Sequence, residues 1–232
     1  MASSSISRLT LQRLPTYLSY LKGLPESSPP NISAAAIAAG LGLGEVQVRK
    51  DLASVSDAGK PRIGYLVSDL IRDLEQFLGY GTCNRTVLVG VGNLGLALLS
   101  YSGFAEYGLH IVAAFDVNKA LIGNTVDQKP ILPVEDLPAF CRESGIQIGV
   151  LTVPAAAAQS CCNALVAGGV RAIWNFAPVH LQAPPGVLVQ RENMASSLAL
   201  LSYHLKTQSG YPGETRRNGR QSEKEIGGKR NG

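Results

Sequence analysis

A parallel α/β domain behind a smaller, mainly helical N-terminal domain is the fold class that this sequence predicts. Three observations predict it. The apolar run Thr86-Val87-Leu88-Val89 enters Gly90-Val91-Gly92-Asn93-Leu94-Gly95 and continues into the helical run Leu96 to Leu99. A second apolar run, Ile111-Val112-Ala113-Ala114-Phe115, ends on Asp116, 21 residues after Gly95. More than eighty residues of different character precede both runs.

Strand, glycine loop, helix, strand and acid, in that order and spacing, describe a Rossmann-type βαβ unit that binds a dinucleotide. Gly90 permits the tight turn, Gly92 lets the backbone approach a pyrophosphate, and Gly95 lets helix and strand pack closely. The helix N-terminus that follows offers free N–H groups and a partial positive charge to phosphates. Asp116 is placed to accept hydrogen bonds from the adenosine ribose hydroxyls. A carboxylate there would meet a 2′-phosphate, so NAD(H) is expected rather than NADP(H). The fold also suits CoA-type nucleotides, which Asp116 does not exclude.

The elements before this unit read as follows. Leu14, Tyr17, Leu18 and Leu21 mark a helical stripe, with Pro15 suited to a first turn. Pro25 to Asn31 is a loop, and Ser33 can cap a short helix from Ala34 to Ala39. Gly40 to Gly44 is a turn, after which Glu45 to Leu52 forms a second helix with Val48 and Leu52 on one side. Two short helices about a glycine turn are the helix-turn-helix arrangement, here spanning about Tyr17 to Ser56. Ala58 to Tyr65 is a hairpin tip carrying Lys60 and Arg62. Ser68 caps a further helix, with Val67, Leu70, Ile71, Leu74, Phe77 and Leu78 on one face and Gly79 at its end. Together these make a winged helix. A plain helical dimerisation domain is the competing reading. Arg49 and Lys50 on the second helix, with Lys60 and Arg62 on the wing, favour phosphate contacts and hence DNA binding.

After the glycine loop, strands at Val87–Val89, His110–Phe115, Ile131–Leu132, Ile148–Thr152, Ala172–Asn175 and Gly186–Gln190 alternate with helices at 94–102, 134–143 and 155–167, as a parallel sheet demands. Thr152-Val153-Pro154 and Trp174-Asn175-Phe176 end strands, where doubly wound sheets place their ligands. A last helix, Asn193 to Lys206, is apolar over a broad surface and must be buried in its own domain or in another subunit. The domains are thus expected at 1–82, 83–190 and 191–206, with a Gly-, Arg-, Asn- and Ser-rich disordered tail at 207–232.

Composition narrows the function. The chain is 45% hydrophobic and 16% charged, ordinary for a soluble protein, and its net charge of +4 does not by itself announce nucleic-acid binding. No apolar run reaches membrane-spanning length, and the first residues lack a signal-peptide apolar core, so a cytoplasmic location is expected. Cys83, Cys141, Cys161 and Cys162 have neither CxxC spacing nor a histidine cluster, so no metal site is expected. Cys161 and Cys162 read as buried helix cysteines rather than a thiol redox pair. An oxidoreductase needs an acid/base group beside the nicotinamide. Of the three histidines, only His180 lies near a useful strand end. Binding without turnover, as in a sensor, is the reading adopted. The alternative is a small NAD-dependent oxidoreductase or nucleotide-binding scaffold with a helical dimerisation domain.

The winged helix, Gly90 to Gly95, Ala113-Ala-Phe-Asp116, Leu151-Thr-Val-Pro154 and Asn175-Phe-Ala-Pro178, followed by a terminal helix, closely resemble the Rex family of redox-sensing transcriptional repressors. The resemblance covers roughly residues 8–206. It implies a homodimer with a domain-swapped terminal helix. It further implies a palindromic operator that is bound in the NAD+ or free form and released when NADH binds. By position, Gly90 to Gly95 and Asp116 would hold the cofactor, with Thr152, Val153, Pro154 and Asn175 nearby. Arg49, Lys50, Lys60 and Arg62 match the recognition helix and wing. Arg13 and Tyr101 match two members of a switch network whose third member is a terminal-helix aspartate. Here Asn193 stands at that position, after Glu192, and an amide cannot form a charged pair with Arg13. The wing also departs from the family, with Pro61 near its tip.

Overall fold

Ser7 accepts a hydrogen bond from the Thr10 amide at 3.1 Å and opens helix α1, Arg8–Lys22, in the computed structural model, which describes residues 6–208. Pro15 therefore lies inside α1, not in a first turn. An interior proline forgoes one helical hydrogen bond at a cost on the order of 3 kcal/mol. The burial of Leu14, Tyr17, Leu18 and Leu21 from the same helix offsets that cost.

Ser33 caps α2, Ala34–Leu41, by accepting from the Ala36 amide at 3.1 Å, as its position predicts. Gly42, in the left-handed region, ends α2, and α3 follows as Glu45–Ala53. The hairpin expected within residues 58–65 is only partly self-contained. Its tip closes on itself through Lys60 and Gly64, but strand β2, Tyr65–Leu66, pairs antiparallel with β1, Asn31–Ile32, from before the two helices. Helix α4 is Val67–Leu78. Ser68 does not cap it, because the N-cap position is Leu66 and Ser68 already lies in the first turn. Gly79 ends α4 in the left-handed region. Residues of α1, α2, α3 and α4 share one core, among them Leu14, Tyr17, Ile37, Val48, Leu52, Leu70 and Leu74.

The second core region is built on a seven-stranded sheet. In chain order its strands are β3 (Asn84–Val89), β4 (Leu109–Asp116), β5 (Thr125–Val126), β6 (Lys129–Pro133), β7 (Ile148–Leu151), β8 (Ala172–Asn175) and β9 (Leu188–Arg191). Their order across the sheet is β5-β6-β4-β3-β7-β8-β9, and every pairing is parallel except β5 with β6. From β3 the chain builds one way through β4 to β6, then returns to lay β7, β8 and β9 on the other side. The crevice beyond the carboxyl ends of β3 and β7 is thus the topological switch point, where such sheets bind ligands.

Helices α5 (Asn93–Leu99), α6 (Leu137–Glu143) and α7 (Ala155–Ala167) accompany the sheet. Val87 and Val89 pack in one apolar cluster with Phe115, Leu151 and Leu165, whereas Leu88 packs in another with Leu99, Ala114 and Val150. Alternate residues of β3 point to opposite faces, and both faces are covered. Helix α5 stops at Leu99, not at Ser102 as its apolar pattern suggests. Tyr101 takes an extended conformation, and the Lys129 ammonium donates to the Leu99 carbonyl at 2.7 Å.

The chain divides into two units, Met1–Glu192 and Asn193–Gly232. The second contains helix α8, Met194–Gln208, whose Met194, Leu198, Leu201 and Leu205 are exposed in the single chain. The tail expected from residue 207 lies, from 209 onward, outside the described residues.

Candidate functional site

The glycine loop leaves β3 at the switch point, and its three glycines do three different things. Gly90 has φ +97°, and a Cβ there would stand 2.8 Å from Val153 Cγ1 and 2.9 Å from the Thr152 carbonyl oxygen. A Cβ on Gly95 would fall 2.0 Å from the Gly90 carbonyl oxygen. Helix α5 can approach the end of β3 only because Gly95 has no side chain, and the turn can lie against Thr152 and Val153 only because Gly90 has none. Gly92 is the opposite case: nothing lies within 4 Å of where its Cβ would be. That open side faces the space where a pyrophosphate would approach the backbone.

Thr152 fastens the loop to β7. Its hydroxyl donates to the Gly90 carbonyl at 2.6 Å, and its amide donates to the Val89 carbonyl at 2.9 Å. Asp116, at the end of β4, accepts from the Val91 amide at 2.6 Å and from the Asn118 amide at 2.8 Å. The carboxylate that the sequence assigns to a ribose thus also orders the loop beneath it.

These residues surround one cleft of about 460 Å³, lined by Gly90, Gly92, Asp116, Thr152, Val153 and Pro154, with Phe115, Val134, Ala157 and Cys161 among its apolar walls. Its size and mostly apolar lining, with a few convergent polar groups, suit part of a nucleotide. Five residues expected at the cofactor do not line this cleft. Gly95 is buried behind the loop, and Val91 is buried with its amide already bonded. Asn93 and Leu94 lie outward on α5. Asn175 is fully buried: its Oδ1 accepts from the Ala177 amide at 2.9 Å and its Nδ2 donates to the Val179 carbonyl at 3.0 Å. It braces the turn after β8, because a side-chain amide can satisfy the backbone groups that such a turn leaves open.

Cys161 and Cys162 are buried, and burial raises both thiols above their ordinary value, so neither is a ready thiolate. Among the described residues no group of His, Cys, Asp and Glu could hold a metal ion.

The second site lies between α3 and the wing. Arg49, Lys60 and Arg62 line one groove of about 390 Å³ with Glu45, Gly59, Pro61 and Tyr65; Lys50 is exposed on α3 outside its lining. Arg49 pairs with Glu45 one turn earlier. The wing tip is closed by reciprocal backbone bonds between Lys60 and Gly64, both 2.9 Å. Arg62 sits at its apex with φ +67°, a left-handed conformation that costs a non-glycine residue roughly 1–2 kcal/mol.

The residues matched to a switch network have other neighbours here. The Arg13 guanidinium donates to both Asp51 oxygens, Nε to Oδ2 at 2.8 Å and Nη2 to Oδ1 at 2.9 Å. Tyr17 and Thr10 donate to the same carboxylate at 2.8 and 3.0 Å. Burial pushes the Asp51 carboxyl up, but these three donors and the Arg13 charge outweigh it, and its pKa is lowered. Burial, reinforced by the bond to Asp51, raises the Tyr17 hydroxyl above its ordinary value. Sequence reasoning misses Asp51, although its position three residues after Val48 puts a carboxylate on the buried side of α3. Tyr101 is exposed and stands edge-on to Phe104 at 4.8 Å. Asn193 accepts from the Ser196 amide at 3.3 Å at the start of α8.

Comparisons with known proteins place the chain in a family. The family model "CoA binding domain" matches residues 83–179, and "Putative DNA-binding protein N-terminus" matches residues 5–53. The redox-sensing transcriptional repressor Rex of Bacteroides fragilis is 41% identical over 86% of this chain and 90% of its own. That of Treponema denticola is 39% identical over 85% of this chain and 94% of its own. Among solved structures, RSP in complex with β-NAD+ and operator DNA aligns with a TM-score of 0.84 at 31% identity, covering 90% of this chain and 96% of that one. RSP in complex with β-NADH aligns with a TM-score of 0.81 at 31% identity, covering 90% and 98%. From glycine loop to wing, then, the chain belongs to the Rex family of redox-sensing transcriptional repressors.

Proposed function

We propose that this protein is a homodimeric repressor that binds palindromic operator DNA through its winged helix and releases it when NADH fills the switch-point cleft. The observation that carries this reading is the presence of both sites in one chain, aligned over nine-tenths of its length with RSP bound to β-NAD+ and operator DNA. Residues 1–82 form the DNA-reading domain, 83–190 the NAD(H)-binding domain and 191–206 the dimerisation helix. The protein binds the cofactor without turning it over.

In this scheme Gly92 admits the pyrophosphate to the loop backbone, Asp116 holds the adenosine ribose, and Val153 and Pro154 give an apolar wall. Arg49 and Lys50 contact phosphates from the recognition helix, while Lys60 and Arg62 contact them from the wing. Arg13, Tyr101 and Asn193 take part in coupling the two sites. The nicotinamide cofactor supplies the redox signal through its two oxidation states. Signalling requires unequal affinity of NADH for the DNA-competent and released conformations, because a ligand shifts an equilibrium only by its differential affinity. Two wings in a dimer read half-sites about one DNA turn apart, and the shift changes their spacing.

Titration of labelled operator across NADH:NAD+ ratios tests the proposal. Operator affinity falls as NADH replaces NAD+. Equal affinity at saturation with either form would falsify the sensor reading.

A further inference from the structure

The outward face of α3 carries an apolar residue among its cations. Val48, Asp51 and Leu52 are buried and fix the rotation of the helix, with Asp51 held by Arg13, Tyr17 and Thr10. Val46, Arg49, Lys50 and Ala53 are therefore presented outward together, at the i, i+3, i+4, i+7 spacing of one helix face. Val46 is 63% exposed and is the second residue of α3, in its first turn. Its branched side chain is stiff, since one χ1 rotamer dominates for valine in a helix. A rigid apolar group is thus held in place between the helix N-terminus and two cations.

We propose that Val46 is a specificity-determining residue that packs against the C5-methyl group of a thymine in each operator half-site. The proposal rests on the DNA-binding reading above and extends it to base identity. The N-terminal residues of a recognition helix are those that reach base edges in the major groove, while cations beside them hold phosphates. Among the base-pair edges exposed in that groove, the thymine methyl is the one apolar group. Valine offers no donor or acceptor, so its selective contact is with that methyl and not with a hydrogen-bonding edge.

The test uses the full-length protein and a duplex that it enriches from a random double-stranded library. Each thymine of that duplex is replaced in turn by deoxyuridine, which pairs identically but lacks the methyl. At one thymine per half-site the replacement weakens wild-type binding about fourfold, the scale expected for one buried carbon. Val46→Ala binds the thymine duplex correspondingly less well and is indifferent to uracil at that position. Val46→Thr, which keeps a methyl in the same place, retains the discrimination. The inference is overturned if no thymine shows the effect, or if wild type and Val46→Ala lose equally at every position. In either of those cases the enriched duplex still upholds DNA binding itself. Failure to enrich any duplex overturns both.

Discussion

Arg13 and Asp51 form a two-point ion pair that joins α1 to α3. Asp51 is only 5% exposed, and its other donors, Thr10 and Tyr17, also come from α1. One carboxylate therefore collects three side chains of α1 and sets where α3 lies against it.

Asp51→Ala leaves the Arg13 charge and the buried Tyr17 hydroxyl without their partner. We expect a loss on the order of 3 kcal/mol, the lower end for breaking a buried pair, since Arg13 itself is a quarter exposed. Urea unfolding of the variant measures it. A loss below about 0.5 kcal/mol would show that solvent replaces the carboxylate without cost.

The same pair gives an acid-side pH dependence. The folded Asp51 pKa is depressed, so its stabilisation is fully present above the unfolded value of about 4 and is lost as pH falls through the lower folded value. Wild-type stability should thus drop more steeply below about pH 4 than that of Asp51→Asn, and the two should converge in acid. Denaturant titrations at several pH values compare the slopes.

Gly92 and Gly95 separate ligand space from packing. Gly92→Ala places a methyl where nothing lies within 4 Å, so its thermal midpoint should match wild type while NADH affinity falls at least tenfold. Gly95→Ala places a methyl 2.0 Å from the Gly90 carbonyl oxygen and should cost about 1–3 kcal/mol of stability as well as cofactor binding. Calorimetric titration paired with thermal melts resolves the two.

Asp116→Ser removes the carboxylate that would oppose a 2′-phosphate. Two like charges about 4 Å apart repel by roughly 1–4 kcal/mol between bulk water and a protein surface. The ratio of NADPH to NADH affinity should therefore rise at least tenfold. An unchanged ratio would place the ribose elsewhere. The variant also frees the Val91 amide, so some loss of NADH affinity is expected.

Lys60→Ala should weaken binding to all duplexes alike and leave NADH affinity intact. For each phosphate that the variant no longer neutralises, the slope of log affinity against log salt should flatten by about 0.9. Retention assays between low and moderate salt read that slope; an unchanged slope shows that Lys60 touches no phosphate.

Some of this molecule is legible in the sequence because the signal is local. Glycines at 90, 92 and 95 behind the strand run Thr86 to Val89 mark a loop whose geometry is dictated within ten residues. Ser33 before an alanine run marks a helix start for the same reason. Other features depend on contacts between residues far apart in the chain. Asp51 reads as one more charge in Arg49-Lys50-Asp51 until α1 is laid against α3. Asn175 ends a strand beside the cleft, yet its amide turns inward to satisfy the next turn. The wing's sheet partner, β1, lies before the two helices, so no hairpin pattern could reveal it. Pro15 misleads because helix-start rules describe favourable positions, whereas the interior position is tolerated by burial on either side.

Trp174, the protein's single tryptophan, donates its indole N–H to Glu192 at 2.7 Å and stands edge-on to Phe104 at 5.7 Å. Glu192 is the last residue before the chain divides. The molecule therefore carries a natural optical probe at that boundary. A shift in its emission reports any rearrangement that breaks the indole–carboxylate bond, with no dye, label or second chromophore of its kind to confound the signal.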